Sequence, residues 1–205
     1  MGDLFSADKM FTYIRGYASA EKMDATIHAL MYMRQKHNGQ LRKSGEPYII
    51  HPLTMACHAL SIGITDDTTI AVILLHDVCE DCNIPVERLP FNQEVKDAVS
   101  LVTFTVDEGE TKEEAKKRYY KNITTNKHAT ITKLIDRCHN VSSMAGTFTK
   151  SKLIAYIDET REFIIPLRRT GKENFPEISD QLFILKYHIV SIVDSIEAAL
   201  NAYDE

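Results

Sequence analysis

An uninterrupted apolar segment that ends in a cluster of imidazole and acid side chains constrains this chain most. Residues 69–75 read Thr-Ile-Ala-Val-Ile-Leu-Leu, and residues 76–81 follow directly as His-Asp-Val-Cys-Glu-Asp. The apolar run predicts a buried helix, and a charged group that emerges from such an element must be paired or bound. If the helix continues, Glu80 shares one side with His76 and Asp77. The cluster alone fits either an acid/base site or a solvated helix end.

Apolar residues recur with a helical period along nearly the whole chain, and no run of alternating strands is present. Asp66 or Asp67 can cap the helix that leads into the cluster, Pro52 can open the helix before it, and Gly63 can end that helix. Beyond the segment around residues 69–81, helices are predicted at 21–37, 53–62, 92–104, 112–124, 127–145, 150–165 and 178–202. We therefore expect an all-α protein.

Length and charge limit the possible classes of protein. A chain of 205 residues suits one domain with a single core, so we expect residues 1–205 to form one domain on which helices at 176–202 pack. The net charge of −5 argues against nucleic acid as a general partner. No apolar stretch approaches the ~20 residues that span a bilayer, which argues against a membrane partner. The N-terminus lacks an apolar signal core, so we expect a cytoplasmic protein.

The four cysteines allow two interpretations. Cys79 and Cys82 have the spacing of a redox pair or of half a zinc site. A second Cys-x-x-Cys pair is missing, and no thioredoxin-like βαβ pattern surrounds the first. We therefore predict that these two residues, like Cys57 and Cys138, are reduced thiols of a cytosolic protein.

Two further segments carry residue types that bind metals. His51 lies at a rigid junction between an extended segment and a proline. Asp136 ends an apolar helical run, and His139 and Asn140 follow it on the same face. Two imidazoles and two carboxylates from these segments and from the 76–81 cluster would form a mixed nitrogen and oxygen site. Such a site suits Mn²⁺, Fe²⁺ or Zn²⁺, with open positions for water or phosphate.

Taken together, three segments carry a family resemblance. Residues 42–52 (Arg-Lys-Ser-Gly-Glu-Pro-Tyr-Ile-Ile-His-Pro), 76–81 and 136–140 (Asp-Arg-Cys-His-Asn) resemble the signatures of the hydrolase domain of RelA/SpoT-type alarmone enzymes. Order and spacing agree over about residues 20–165. The resemblance implies an HD-type helical bundle with a metal site in its core cleft. Because no room remains for a synthetase domain, the chain resembles the stand-alone small alarmone hydrolases. These remove the 3′-pyrophosphate of (p)ppGpp, typically with Mn²⁺, and give GDP or GTP and pyrophosphate.

The resemblance also implies roles for individual residues. The implied metal ligands are His51, His76, Asp77 and Asp136. Glu80 and Asp81 are implied as the acids that orient and activate the attacking water.

Further residues match substrate contacts of the family. Arg42, Lys43 and Ser44 match a loop that contacts the nucleobase, and an arginine plane can stack on a purine. The other implied contacts are Asn140 near the sugar, Lys152 and Tyr156 near the phosphates, and Ser143. Lys117 and Arg118 are also phosphate candidates, although their basic helix fits a solvated surface equally well.

One departure from the family pattern leaves the identity of the substrate's nucleobase undetermined. The family usually continues after residue 140 with Met-Arg-Thr-Leu, whereas this chain has Val-Ser-Ser-Met at 141–144. The leading hypothesis is an alarmone 3′-pyrophosphohydrolase that acts on (p)ppGpp. The second hypothesis is an HD phosphohydrolase of another nucleotide, such as an adenosine alarmone or the 2′-phosphate of NADPH. A module that binds an alarmone without turnover is a third hypothesis, against which the intact ligands and acids weigh. The sequence does not indicate an oligomeric state.

Overall fold

A computed structural model describes residues 6–202, and its regular secondary structure in that range is helical apart from one isolated β-bridge between Leu41 and Pro47. The first helices are α1 (Ala7–Ala20), α2 (Asp24–Lys36), α3 (Ile50–Ser61), α4 (Asp67–Leu75), α5 (Val78–Asp81) and α6 (Gln93–Val102). The others are α7 (Lys112–Ile123), α8 (Lys127–Met144), α9 (Lys150–Glu159), α10 (Ile165–Asn174) and α11 (Ser179–Ala202). Short 3₁₀ turns occupy Val86–Arg88 and Pro176–Ile178, and a π-helical turn occupies Thr160–Ile164. The predicted all-α class is confirmed.

The helices pack as two compact units, Met1–Gly109 and Glu110–Glu205. The first unit contains α1 to α6, and the second contains α7 to α11. Within the second unit, α11 packs on α8, α9 and α10. The assignment of residues 1–205 to one domain stays a prediction. No helix among residues 6–202 has both the length and the apolar character needed to cross a bilayer.

In the first unit, α4 is the central element and packs against α2, α3 and α6. Its residues from Thr69 to Leu75 are all buried, as the apolar run predicts. Asp66 caps the helix by accepting a hydrogen bond from the Thr69 amide at 2.8 Å. The next residue, Asp67, accepts from the amides of Ala25 and Thr26 at 3.1 and 2.7 Å, which fixes the start of α2 against α4. These contacts position the far end of α4, where the polar cluster begins.

The helix that leads into the polar cluster does not continue unbroken through residues 76–81. Helix α4 ends at Leu75, and a turn at residues 76–77 separates it from the single turn α5. Asp77 has backbone angles of φ −100° and ψ −5°, and its side chain is bound by groups outside the helix. Helical bonding resumes at the Asp81 amide, which donates to the Asp77 carbonyl at 2.8 Å.

In the second unit, one predicted helix at 150–165 is interrupted. Helix α9 ends at Glu159, the π-helical turn follows, and α10 continues the run. Pro166 in the first turn of α10 has no N–H to donate to the carbonyl four residues earlier, so the regular ladder cannot pass through this point. Helix α10 lies close to α8 because Gly171 has no side chain. A Cβ there would lie 2.7 Å from the Thr130 Cγ2 atom.

The cysteines agree with the prediction of reduced thiols. All four are free, with Cys79 and Cys138 buried and the other two half-buried. Burial raises the pKa of Cys79 to about 11. A thiol with so high a pKa forms little thiolate near neutral pH, which does not favour a redox function for this residue.

Candidate metal centre and substrate residues

Three of the four predicted ligands converge in the first unit. His51 lies in the first turn of α3, His76 follows the last residue of α4, and Asp77 is the next residue along the chain. Both histidines are buried, with 3% and 5% of their surface exposed, and the Asp77 side chain is 28% exposed. One ligand atom from each residue lies within 4.8 Å of the other two.

The distances within this cluster define how the rings are oriented. The His76 Nε2 atom lies 2.9 Å from Asp77 Oδ2 and 3.2 Å from His51 Nε2, and the His51 Nε2 atom lies 3.7 Å from the same Asp77 oxygen. The other ring nitrogen of His76, Nδ1, lies 2.9 Å from the Ile73 carbonyl oxygen. A carbonyl can only accept, so Nδ1 carries the proton. The Nε2 lone pair of the neutral ring then points toward the cluster, as in histidines that bind metals.

The donor set fits a divalent metal ion. Two imidazole nitrogens and one carboxylate oxygen turn toward a common point in a buried location. Lone pairs that converge away from water need a proton or a cation between them. Mixed nitrogen and oxygen ligands suit several first-row divalent ions, so the cluster suggests a divalent metal without selecting one.

The sequence did not single out Tyr48, whose side chain contacts the cluster. Its hydroxyl donates a hydrogen bond to Asp77 Oδ2, and its ring stacks on His37 with centroids 4.5 Å apart. Burial, and then the negative charge of Asp77, raise the pKa of Tyr48 far above its ordinary value, so the hydroxyl stays a donor. The residue lies within the 42–52 motif, but an aromatic residue there is easily interpreted as core.

The two predicted catalytic acids lie on α5 with exposed side chains. The Glu80 carboxylate accepts a hydrogen bond from the Phe104 amide at 3.4 Å. The Asp81 backbone carbonyl accepts one from the Gln40 side chain at 3.5 Å. These contacts attach α5 to two neighbouring segments while both carboxylates remain accessible to water. Their catalytic role stays a prediction.

Arg42, Lys43 and Ser44 form a tight turn in the first unit. The Arg42 amide donates to the Glu46 carbonyl at 2.8 Å, and the Gly45 amide donates to the Arg42 carbonyl at 2.9 Å. Gly45 has φ +83°, a left-handed conformation that favours glycine. In this turn the side chains of Lys43 and Ser44 are exposed, and that of Arg42 is half-buried. Its predicted contact with a nucleobase is untested.

The fourth predicted ligand, Asp136, lies on α8 in the second unit and is buried. One of its oxygens accepts a hydrogen bond from Lys133 Nζ at 3.1 Å, and the other accepts from Asn140 Nδ2 at 2.6 Å. Ser143 Oγ donates to the His139 carbonyl at 3.1 Å. The roles of Asp136 as a ligand, and of Asn140 and Ser143 as substrate contacts, stay predictions.

Lys152 and Tyr156, the predicted pair, both contact the ring of Phe148. Lys152 Nζ lies 3.6 Å from the centre of the Phe148 ring, and that ring contacts Tyr156 edge-on with centroids 5.6 Å apart. The cation therefore faces Phe148, which the sequence did not single out. Lys152 itself is exposed, so its ammonium group is accessible to solvent and to a ligand.

The two weaker phosphate candidates have acidic partners within the second unit. Lys117 Nζ lies 3.8 Å from Glu113 on the exposed face of α7. Arg118 forms a two-pronged pair with Glu110, with nitrogen–oxygen distances of 2.9 and 2.8 Å. These pairs favour the solvated-surface interpretation for Lys117 and a structural role for Arg118.

A buried network in the second unit was also missed. Arg137 is 2% exposed and donates to Glu159 at 2.7 Å, to the Tyr120 hydroxyl at 3.2 Å and to the Thr160 hydroxyl at 3.1 Å. Lys116 Nζ lies 2.6 Å from the other Glu159 oxygen. Burial opposes ionisation of Glu159, but hydrogen bonds from Lys116 and Arg137 outweigh it and hold the pKa at about 2. In the sequence, this network is indicated by the position of Arg137 within the 136–140 motif.

Comparison with known proteins now identifies the family. A family model described as "HD domain" matches residues 29–167. The chain belongs to the HD-domain family. A guanosine-3′,5′-bis(diphosphate) 3′-pyrophosphohydrolase from Aquifex aeolicus (strain VF5) is 35% identical over 144 residues, which are 68% of this chain and 20% of the relative. One from Vibrio cholerae is 29% identical over 187 residues, 87% of this chain and 26% of the relative. This HD-domain chain thus spans about a fifth to a quarter of the length of these curated relatives.

A solved structure resembles this chain over most of the solved protein's length. It is described as a metazoan ortholog of SpoT that hydrolyzes ppGpp, and it matches with a TM-score of 0.61 and 25% identity. The match covers 75% of this chain and 94% of the other. The HD-domain protein is therefore related to the hydrolase domains of SpoT and Rel proteins, which confirms the family predicted from the sequence.

Proposed function

We propose that this HD-domain protein is a metal-dependent hydrolase that removes the 3′-pyrophosphate of (p)ppGpp. The observation that carries this proposal is the buried convergence of His51, His76 and Asp77 within 4.8 Å. Relatives described as 3′-pyrophosphohydrolases of guanosine bis(diphosphate) support the substrate class.

The three converging side chains would hold the metal ion, and Asp136 is the fourth ligand that the resemblance implies. Mn²⁺ is our first choice, and the same donors also suit Fe²⁺ or Zn²⁺. Such an ion, when bound, supplies Lewis-acid stabilisation of the charge that develops on phosphoryl oxygens. The Nδ1 contact of His76 with the Ile73 carbonyl would keep its Nε2 lone pair directed at the ion.

Glu80 and Asp81 would orient a water molecule and accept its proton. The water oxygen forms a bond to the phosphorus attached to the ribose 3′ oxygen, and the bond from that phosphorus to the 3′ oxygen breaks. A proton goes to the departing 3′ oxygen, so the products are GDP or GTP and intact pyrophosphate. Positioned acid/base groups of this kind typically supply ~10²- to 10⁴-fold in rate. The exposure of both carboxylates on α5 is compatible with this role.

The exposed turn at Arg42, Lys43 and Ser44 would contact the purine, with the arginine plane stacked on the base. Lys152 would contribute positive charge near the phosphates. A stacking contact binds substrate and transition state about equally. Replacement of Arg42 by alanine should therefore raise KM more than it lowers kcat.

A second candidate is an HD phosphohydrolase for another nucleotide, such as an adenosine alarmone or the 2′-phosphate of NADPH. The observation that favours it is Ser142, which occupies the place of an arginine in the usual family pattern. Its hydroxyl donates to the Cys138 carbonyl at 2.7 Å and lies 3.0 Å from His188 Nε2. This side chain cannot replace the long cationic group on the wall near the base.

A purified-protein assay with Mn²⁺ would separate these candidates. ppGpp, pppApp and NADPH are compared as substrates, and phosphorus NMR identifies the released species. We expect turnover of ppGpp with intact pyrophosphate as product. Orthophosphate release, or turnover of pppApp or NADPH without turnover of ppGpp, would assign the second candidate. Nucleotide binding without turnover would indicate a binding module and contradict the proposed function.

A further inference from the structure

The Tyr48 hydroxyl contacts the oxygen of the candidate metal site that also lies closest to both histidines. It donates to Asp77 Oδ2, and that same oxygen lies 2.9 Å from His76 Nε2 and 3.7 Å from His51 Nε2. A carboxylate oxygen can accept a hydrogen bond and still offer a lone pair to a metal ion. The phenol therefore contacts the same Asp77 oxygen that faces the two imidazoles.

The Tyr48 ring is itself held from several directions. Its backbone amide donates to the Gln40 carbonyl at 2.9 Å, and its ring stacks on His37 at an angle of 19°. His37 is 2% exposed, and its Nδ1 atom lies 2.5 Å from Gln40 Oε1. The Gln40 amide nitrogen in turn donates to the Asp81 carbonyl at 3.5 Å. The segment before α3 thus contacts both the candidate metal cluster and the turn that carries the acid pair.

We propose that Tyr48 is a positioning residue that fixes the Asp77 carboxylate with Oδ2 directed at the metal position. The inference rests on the proposed function, because it assigns Tyr48 a role toward the ion that His51, His76 and Asp77 would hold. Asp77 lies in a turn outside regular helix, and its terminal torsion is broad and roughly two-fold. The hydroxyl supplies a restraint on this torsion from a different segment of the chain.

The conservative substitution Tyr48→Phe tests this role because it removes one oxygen and keeps the ring that stacks on His37. Tyr32→Phe is the matched control, since Tyr32 is half-buried in the same unit and packs edge-on against Phe91. The probe is Mn²⁺ alone. Its affinity is measured by calorimetry, the symmetry of its ligands by electron paramagnetic resonance, and the fold by thermal melting without metal. Steady-state kinetics with ppGpp then separate kcat from KM.

We expect Tyr48→Phe to melt close to the wild type without metal and to bind Mn²⁺ about 10- to 100-fold more weakly, the usual cost of losing such an outer contact. The resonance spectrum of bound Mn²⁺ should change, kcat should fall at a fixed Mn²⁺ concentration, and KM should change little. Tyr32→Phe should match the wild type in all four measurements.

The experiment distinguishes failure of the Tyr48 role from failure of the proposed function. If the wild type binds Mn²⁺ and Tyr48→Phe binds it with the same affinity and spectrum, the positioning role is wrong while the proposed function stands. If the wild type itself binds no Mn²⁺, the proposed function is wrong and the role of Tyr48 is overturned with it. A lower melting temperature with unchanged Mn²⁺ affinity would also overturn the role, because Tyr48 would then contribute to stability alone.

Discussion

Each of the two units contains a buried polar cluster, and the two differ in how their charges are arranged. In the first unit, two imidazoles and a carboxylate direct lone pairs at one another within 4.8 Å. In the second, the cations Lys116 and Arg137 surround the carboxylate of Glu159 at 2.6 and 2.7 Å. The first arrangement gains from an added cation, whereas the second already pairs acid with base. Burial of polar groups alone therefore does not separate the two clusters, but the balance of donors and acceptors does.

The network in the second unit also provides partners for the buried guanidinium group of Arg137. The Arg137 Nη atoms donate hydrogen bonds to three oxygens, and the Tyr156 ring lies over the guanidinium with its centre 4.0 Å away. Its Nε atom is buried without a hydrogen-bond partner among the described residues. The network connects α7, α8, α9 and the start of the π-helical turn, so its loss should act on stability.

The largest expected effect concerns rate in the first unit. Glu80→Gln and Asp81→Asn remove a proton acceptor and keep the size of the side chain, so turnover should fall by ~10²- to 10⁴-fold. Because both side chains are exposed, the melting temperature and Mn²⁺ binding should stay close to those of the wild type. Steady-state kinetics, thermal melting and calorimetry check these outcomes. Unchanged turnover in both variants would remove this acid pair from the mechanism.

The next effect concerns stability in the second unit. Arg137→Ala should lower the free energy of unfolding by about 3 kcal/mol, because it removes a buried cation and leaves Glu159 with one partner fewer. Urea denaturation followed by circular dichroism measures the change. If Arg137→Ala were as stable as the wild type, the buried network of the second unit would not contribute to stability, and the proposed difference between the two clusters would be wrong.

The pH dependence of stability tests the same network through Glu159. Its pKa is lowered from 4.5 to about 2 in the folded protein. The stabilisation is therefore fully present above pH 4.5 and is lost as the pH falls through about 2. It should amount to about 1–3 kcal/mol, given partial solvent screening. Glu159→Gln should lose this contribution at pH 7 and show a smaller acid-induced decrease in stability than the wild type. An equal acid-induced decrease in both proteins would contradict the assignment.

The smallest effect is expected at the surface. Arg161 pairs with Glu197 at 2.6 Å and with Asp194 at 3.2 Å, but about half of its side chain is exposed. Exposed pairs contribute little, so Arg161→Ala should cost less than about 1 kcal/mol. This variant is the matched control for Arg137→Ala in urea denaturation. A cost as large as that of Arg137→Ala would show that burial does not separate the two arginines.

The sequence predicted local features well because they depend on neighbouring residues. The apolar run before His76 predicted a buried helix, and the cap at Asp66 follows from its position at the start of that helix. The convergence of His51 with residues 76 and 77 required the family resemblance, since 25 residues separate the two histidines.

Contacts between distant residues could not be predicted. The partners Tyr48 and Asp77 are 29 residues apart, and Arg137 and Glu159 are 22 apart. No periodic pattern joins such pairs. The break after α9 was also missed, because Pro166 follows an otherwise regular apolar period. Tertiary contacts, more than local pattern, determine which polar residues act together.

We expect the cluster of His51, His76 and Asp77 to bind a divalent ion. Calorimetric titration of Mn²⁺ into the metal-free protein measures this binding, with thermal melting in parallel and with His76→Ala and the surface variant Arg161→Ala for comparison. We predict that the wild type and Arg161→Ala bind Mn²⁺ and are stabilised by ~2.7 kcal/mol at a free concentration 100 times the Kd. His76→Ala should show neither binding nor stabilisation, because it removes a ligand whose Nε2 atom faces the other two. Equal Mn²⁺ binding by His76→Ala and the wild type, or no binding by either, would contradict the account.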